Sequence, residues 1–359
     1  DYKDLKLSAL GMGCMRLPVI DGDDAKVDEA ATADMVQYAM DHGVNYYDTA
    51  WGYHNGTSEL VMGRVLSKYP RESFYLADKF PGYDLSNMDK VEEIFEEQLK
   101  KCQTEYFDFY LFHNVCEMNI DAYMDESHGI HKYLMEQKKN GRIRHLGFSA
   151  HGNYDVMKRF LEKYGKDMEF CQIQLNYLDW TFQDAKGKME LLKEYDIPVW
   201  VMEPLRGGSL AKINEEAAKK LEALRPEESI PAWAFRFLQS MPEVKVTLSG
   251  MSNAQQLIEN IATFEEDKPL NKEEMDTLLG IADRPSVYSL PLLREPLSPG
   301  AGYPEDPGAL QRALLHRRRI YRAHGGVDAP GGQETFRLHR LQELRGSLSP
   351  ADQDLRGHG

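Results

Sequence analysis

Residues 44–59 read VNYYDTAWGYHNGTSE: a β-rich run that stops on Asp48, a loop that carries Tyr53, and then the start of a helical pattern at Ser58. The same grammar recurs downstream, where FYLADK (74–79) closes on Lys79 and FDFYLFH (107–113) closes on His113. A run of about four to eight β-prone residues followed by a helix pattern is how a parallel strand feeds its crossover. A charged or aromatic polar side chain stands where each hydrophobic run ends.

Working outward, the alternation continues along the chain. Strands are predicted at 8–15, 45–50, 74–80, 106–113, 143–149, 169–176, 198–203 and 245–250. Helices are predicted at 28–42, 58–66, 89–102, 123–140, 153–163, 183–195, within 215–239, and at 254–264. Eight strand–helix units is the number that closes a (β/α)8 TIM barrel, an α/β fold of about 250 residues, so residues 1–284 are expected to form one domain. Strand C-terminal ends converge on one mouth of such a barrel, which would gather Asp48, Tyr53, Lys79 and His113 into one pocket. Singly, each has a plainer reading: a turn cap, one tyrosine among many, a solvated lysine, a histidine bonded to nearby backbone. As a set they point to an enzyme.

The chemistry such a set supports is proton delivery. A phenol titrates near pH 10, but an adjacent ammonium favours its ionised form and a carboxylate holds that ammonium in place. Tyr53 would then act as a general acid, while His113 orients a carbonyl oxygen. No side chain supplies hydride, so a nicotinamide cofactor is required.

At this point the chain resembles the aldo-keto reductase family. The matching segments are GMGCMRLP (11–18), residues 48–59, Lys79, FDFYLFHN (107–114), IRHLGFSAHG (143–152), FCQIQLNYLD (170–179), VWVMEPLRGG (199–208) and VTLSGMSNAQQLIENI (246–261). They recur in the family's order from about residue 6 to about residue 284. The resemblance implies that Tyr53 is the proton donor, Asp48 and Lys79 its tuning pair and His113 the carbonyl-orienting residue. It implies that Ser149 and Gln172 hold the nicotinamide carboxamide, that Leu205, Gly207, Gly208 and Leu210 belong to the pyrophosphate loop, and that Glu259 and Asn260 touch adenine. Ala150 replaces the family's usual Asn, and Met202 replaces its usual aromatic against the nicotinamide. Its usual basic contacts to an adenosine 2′-phosphate fall on the uncharged Gly250 and Gln256, so the cofactor is left open as NADP or NAD.

Two other functions are carried beside carbonyl–alcohol interconversion. One is a nicotinamide-binding redox sensor or electron-handling protein with little turnover; a pure sensor has no need of a proton donor. The other is metal-assisted hydrolysis, for which His113 and Asp48 lack companion ligands at readable spacing. The loops at 115–125 and 179–185 border the expected mouth, where Trp51, Tyr177 and Trp180 would either shape a substrate pocket or pack.

Composition agrees with a globular enzyme acting on a small-molecule carbonyl or alcohol. The chain has 359 residues, 42% hydrophobic and 28% charged, with a net charge of −15 that disfavours nucleic acid. No apolar run approaches the roughly eighteen residues of a membrane span. No leader pattern opens the sequence, so a cytoplasmic location is expected. Cys14, Cys102, Cys116 and Cys171 show no paired spacing, and neither a metal centre nor a disulfide framework is expected. Oligomeric state is not readable.

Composition breaks after Arg284. Residues 285–359 hold ten Arg and no Lys, and no Cys, Met, Asn or Trp. Back-translated with permissible codons and read from the second base, 286–312 and 337–359 can each yield CxxCxxCxxxCP, the ligand run of bacterial two-cluster ferredoxins. The expectation is that related chains join the barrel to a two-cluster ferredoxin module which a frameshift has replaced here, a point the coding DNA decides. As written, the tail has no thiolates for an iron-sulfur cluster. Its Arg, Pro and Gly content predicts poor order, with a short helix around 310–323.

Overall fold

The computed structural model describes residues 2–283. The expected tail at 285–359, with its predicted helix and the frameshift reading, lies outside them.

Among the described residues eight parallel strands close a barrel: β1 (Leu10–Gly13), β2 (Tyr46–Asp48), β3 (Tyr75–Phe80), β4 (Phe107–Val115), β5 (Ile143–Ala150), β6 (Cys171–Gln174), β7 (Val199–Met202) and β8 (Val244–Gly250). The helices are α1 (Glu29–Asp41), α2 (Ser58–Leu66), α3 (Val91–Lys101), α4 (Ile120–Met124), α5 (Ile130–Lys139) and α6 (Tyr154–Tyr164). They continue with α7 (Asp179–Phe182), α8 (Ala185–Glu194), α9 (Glu215–Leu224), α10 (Ile230–Gln239), α11 (Ala254–Phe264) and α12 (Lys272–Ala282).

Side chains alternate across a strand, and that period sorts the core. Tyr46, Ala77, Phe109, Leu111, Phe170, Trp200, Val246 and Leu248 fill the barrel, with Tyr2 packed against them. Their neighbours in sequence, such as Tyr47, Leu76, Tyr110, Cys171 and Val201, face the helices instead. Two or four residues further along each strand, the same inward phase delivers Asp48, Lys79, His113, Ser149, Gln172, Met202 and Gly250 to the C-terminal end. The register agrees, pairing Gly13 with Asp48 and with Gly250, and Ser149 with Gln172.

The barrel interior is an aromatic layer, with Phe170 and Trp200 ring centroids 4.8 Å apart and Phe109 and Phe170 5.2 Å apart. Gly147 makes room for it. A Cβ there would stand 2.4 Å from the Phe170 carbonyl oxygen and 2.6 Å from its ring. Gly147→Ala is therefore expected to destabilise by about 1–3 kcal/mol, or more if the β5–β6 backbone cannot part; a denaturant midpoint equal to wild type would show that the layer has slack.

Three helical regions differ from expectation. The predicted helix at 123–140 is split: Gly129 adopts φ +67°, a left-handed conformation that ends one segment before α5 begins. The region 215–239 is two helices, because Pro226 follows α9 and Ser229 caps α10 through its hydroxyl. α12 was not anticipated; it begins with a capping box in which Asn271 and Glu274 bond each other's backbone.

Candidate active site

Asp48 ends β2, Tyr53 opens the first turn of the following loop, Lys79 lies near the end of β3 and His113 near the end of β4. Lys79 Nζ donates to Asp48 Oδ1 at 2.5 Å, to the Thr49 carbonyl at 2.7 Å and to Tyr53 Oη at 3.3 Å. An ammonium has three donors, and all three are used. The Tyr53 oxygen thus accepts from Lys79 and keeps its own proton to donate elsewhere. The His113 ring stands edge-on to Tyr53, with centroids 6.1 Å apart.

A second layer fixes the lysine. Gln98 Nε2 shares its two N–H donors among the Lys79 carbonyl at 3.0 Å, Asp78 Oδ1 at 2.9 Å and Glu59 Oε1 at 3.0 Å, while Lys101 binds Glu59 Oε2 at 2.9 Å. Burial and then the Glu59 carboxylate push Asp78 well above the usual carboxyl range. Gln98 bridges the two carboxyls.

The electrostatics depart from the sequence expectation at Tyr53. Burial raises its phenol more than the Lys79 ammonium lowers it, and Asp48 adds to the rise, so the group is pushed up to about 12. Lys79 alone does not acidify Tyr53 against that burial. Burial also opposes the charge on Lys79, but the oxygens of Asp48, Tyr53 and Asp78 outweigh it and the ammonium is held. Burial raises Asp48, against the opposing pull of Lys79.

His113 is driven well below the usual imidazole range by burial first, then by Lys79 and His151. A neutral ring carries one N–H, and Nδ1 is buried with no partner among the described residues. A base whose folded value is depressed contributes stability that is present above its unfolded value near pH 6.5 and is lost as pH falls towards the depressed value. The expected result is an imidazole NMR signal for His113, identified by its loss in His113→Gln, that stays at its neutral position from pH 7 to well below 6.5. A midpoint near 6.5 would contradict the burial argument.

The residues expected to hold a cofactor sort into two groups. Ser149 is buried, and its hydroxyl oxygen accepts from the Asn114 N–H at 2.7 Å, which leaves the hydroxyl proton free. Gln172 is 3% exposed and pairs with Ser149 across β5 and β6. A buried amide beside a hydroxyl offers donors and an acceptor that suit a carboxamide ligand. Met202 is half-buried at the end of β7; beyond it Leu205 is half-buried, Leu210 is buried, and Arg206, Gly207 and Gly208 run at φ +48°, +63° and +89°. Such a loop lets a ligand reach the backbone closely.

The other group is engaged locally. Gln256 is exposed, and its amide oxygen accepts from the Ser252 N–H at 2.8 Å. Asn260 is buried and donates to Ser249 Oγ at 3.1 Å, whereas Glu259 faces solvent beside Gln255. α11 therefore does not present Glu259 and Asn260 on one surface.

Several residues at this mouth escaped the sequence reading. Tyr83 meets His113 edge-on at 5.2 Å, and its hydroxyl closes over Gly52, where a Cβ would stand 2.4 Å away. His151, in the loop after β5, is pushed down to about 4 by burial and then by Lys188 and Lys79. Tyr83 carried no signal beyond being an aromatic after a strand; His151 follows a strand end as His113 does. The aromatics weighed for a pocket pack instead: Tyr177 and Trp180 lie against Phe237 of α10, and Lys101 Nζ sits 3.6 Å over the Trp51 ring.

A groove of about 1010 Å³ lies at the opposite end of the barrel, bordered by Arg71, Arg142 and Arg144. Those guanidiniums are paired with Asp108 and Glu96. Among the described residues all four cysteines are free, no group of three His, Cys, Asp or Glu stands together, and no helix is long and apolar enough to cross a membrane.

A sequence model of the Aldo/keto reductase family matches residues 9–283. The chain belongs to this family. It is an NAD(P)-dependent oxidoreductase of that type. Relatives include the uncharacterised oxidoreductase YqkF of Bacillus subtilis, 24% identical over 77% of this chain and 92% of that protein. The NADH-specific methylglyoxal reductase of Escherichia coli is 25% identical over 73% of this chain and 91% of that protein. Among solved structures, the aldo-keto reductase AKR11C1 of Bacillus halodurans in its holo form superposes with a TM-score of 0.62 at 24% identity, over 80% of this chain and 96% of that one.

Proposed function

We propose that this aldo-keto reductase interconverts an aldehyde or ketone and the corresponding alcohol, with Tyr53 giving or taking the proton at oxygen. The observation that carries this reading is the Lys79 ammonium, whose three donors are committed to Asp48, the Thr49 carbonyl and Tyr53 Oη. The phenolic hydrogen is thereby directed away from the lysine. The nicotinamide, when bound, supplies the hydride that no side chain can. Ser149 and Gln172 would hold its carboxamide, Met202 would lie against it, and the 205–210 loop would take its phosphates.

Neutral His113 would donate its single N–H to the carbonyl oxygen and hold it for Tyr53. Once Tyr53 gives its proton, the phenolate left behind faces the Lys79 ammonium that stabilises it, so the Lys79–Asp48 pair matters most after transfer. In the reverse direction the same phenolate accepts the alcohol proton. The name of the Escherichia coli relative makes 2-oxoaldehydes the first substrates to try, with NADH and NADPH in parallel. Loss of absorbance at the reduced-nicotinamide band on adding carbonyl is the expected result. A panel of aldehydes, ketones and 2-oxoaldehydes that leaves both cofactors unoxidised would overturn the proposal.

A further inference from the structure

We infer that Arg16 is a cofactor-binding residue whose guanidinium holds the diphosphate of the dinucleotide. This rests on the nicotinamide reading above. Arg16 follows β1 and lies against the end of β8 and the loop after β7. Its stem lies along Gly250 at the end of β8, where a Cβ would stand 3.1 Å from Arg16 Cβ and Cδ and 3.2 Å from its Cγ. Any side chain at 250 would thus compete with the arginine for that space. The tip reaches the β7 loop, where a Cβ at Gly207 would stand 3.2 Å from Arg16 Nη2.

The pairing state of the two arginines at this rim separates them. Arg206 is held by buried Asp179, with Nε 3.4 Å from Oδ2, and lies over Phe182. Among the described residues Arg16 pairs only with Glu203, with Nη2 3.8 Å from Oε1 and both side chains substantially exposed, 42% and 29%. A long, solvated contact of that kind is worth little, so the guanidinium can turn to a better anion. A planar fork suits two phosphate oxygens, and beside Gly207 a Cβ at Gly208 would meet nothing within 4 Å. The reach towards Gly207 places the cation at the expected phosphate loop, which is why the diphosphate common to NADH and NADPH is named.

The test is equilibrium binding of NADH and NADPH to the full chain, by calorimetry or by nicotinamide fluorescence, with no substrate present. Arg16→Met keeps the stem and removes the charge. It should weaken both cofactors by about ten- to a hundredfold, the range for one charge-assisted contact. Arg16→Lys should fall between, and added salt should narrow the gap. Gly250→Val keeps the charge but displaces the stem, and should weaken both cofactors in the same way. Unchanged affinity for both in Arg16→Met, with an unaltered melting temperature, overturns the inference. So does a loss confined to NADPH, which would put the guanidinium elsewhere. Failure of wild type to bind either dinucleotide would instead remove the cofactor reading beneath it.

Discussion

Tyr53→Phe is expected to lower the rate constant for carbonyl reduction by about a hundred- to ten-thousand-fold, the usual contribution of a positioned general acid, while the dissociation constant of the cofactor changes less than twofold. The substitution removes one hydroxyl and keeps the ring that lies edge-on to His113. Lys79 Nζ loses its longest contact, at 3.3 Å, and keeps Asp48 and the Thr49 carbonyl, so the fold should be intact. Because burial pushes the phenol up to about 12, wild-type Tyr53 is protonated throughout the working range. A group raised in this way keeps its proton below pH 10 and loses the associated stability only as pH rises through about 12. Reduction should therefore show no basic limb from Tyr53 between pH 6 and 9. A phenol at about 12 remains a stronger acid than water, with a pKa of about 15.7, so transfer to a nascent alkoxide stays downhill. Transient kinetics with saturating cofactor measures the step. Equal turnover in Tyr53→Phe and wild type would favour the sensor reading, in which the barrel binds nicotinamide without needing a proton donor.

Much of the barrel was legible because period-two burial and terminal polarity coincide in these strands. Tyr46 and Asp48, or Leu111 and His113, are two apart on one face, so a hydrophobic run that ends on a polar residue marks both the strand and its mouth-facing end. What was not legible depends on depth or on partners distant in sequence. Burial of Tyr53 outweighs its neighbouring ammonium, and nothing in VNYYDTAWGY reveals how deep the hydroxyl sits. Tyr83 reaches the site because Gly52 leaves room for it, a pairing across two loops. Arg16 was read only as part of a resembling segment; its place at the mouth depends on Gly250, which the sequence reading took as a missing charge. The split at Gly129 was missed because a single left-handed glycine inside a periodic pattern looks like a tolerated residue. The Asn271–Glu274 cap of α12 was readable, since an Asn three residues before a Glu, ahead of apolar periodicity, is a helix start.

Lys79→Met should cost about 3–5 kcal/mol of folding stability, the range for stripping one partner from a buried ion pair, and should abolish turnover as well. Asp48 is 3% exposed and its Oδ2 already has no hydrogen-bond partner among the described residues. Without the ammonium, Oδ1 is orphaned too, and a charged carboxylate is left in a dry site. The response to pH follows from sign. Burial already raises Asp48 and Lys79 is what opposes it; removing Lys79 raises it further, so the variant relieves its strain by taking up a proton. A carboxyl raised in the folded state contributes stability that is present below its unfolded value near 3.9 and is lost as pH climbs through the folded value. The deficit relative to wild type should accordingly be smallest in acid and widen towards pH 7, as read from urea midpoints at constant slope. Lys79→Met combined with Asp48→Leu should recover most of the stability, because two apolar side chains replace the pair, yet recover none of the activity. That divergence separates what the pair does for the fold from what it does for Tyr53. If the single variant were as stable as wild type at pH 7, Asp48 would have to be neutral there already, and the ammonium–carboxylate couple assigned to the proton donor would not exist as a charged pair.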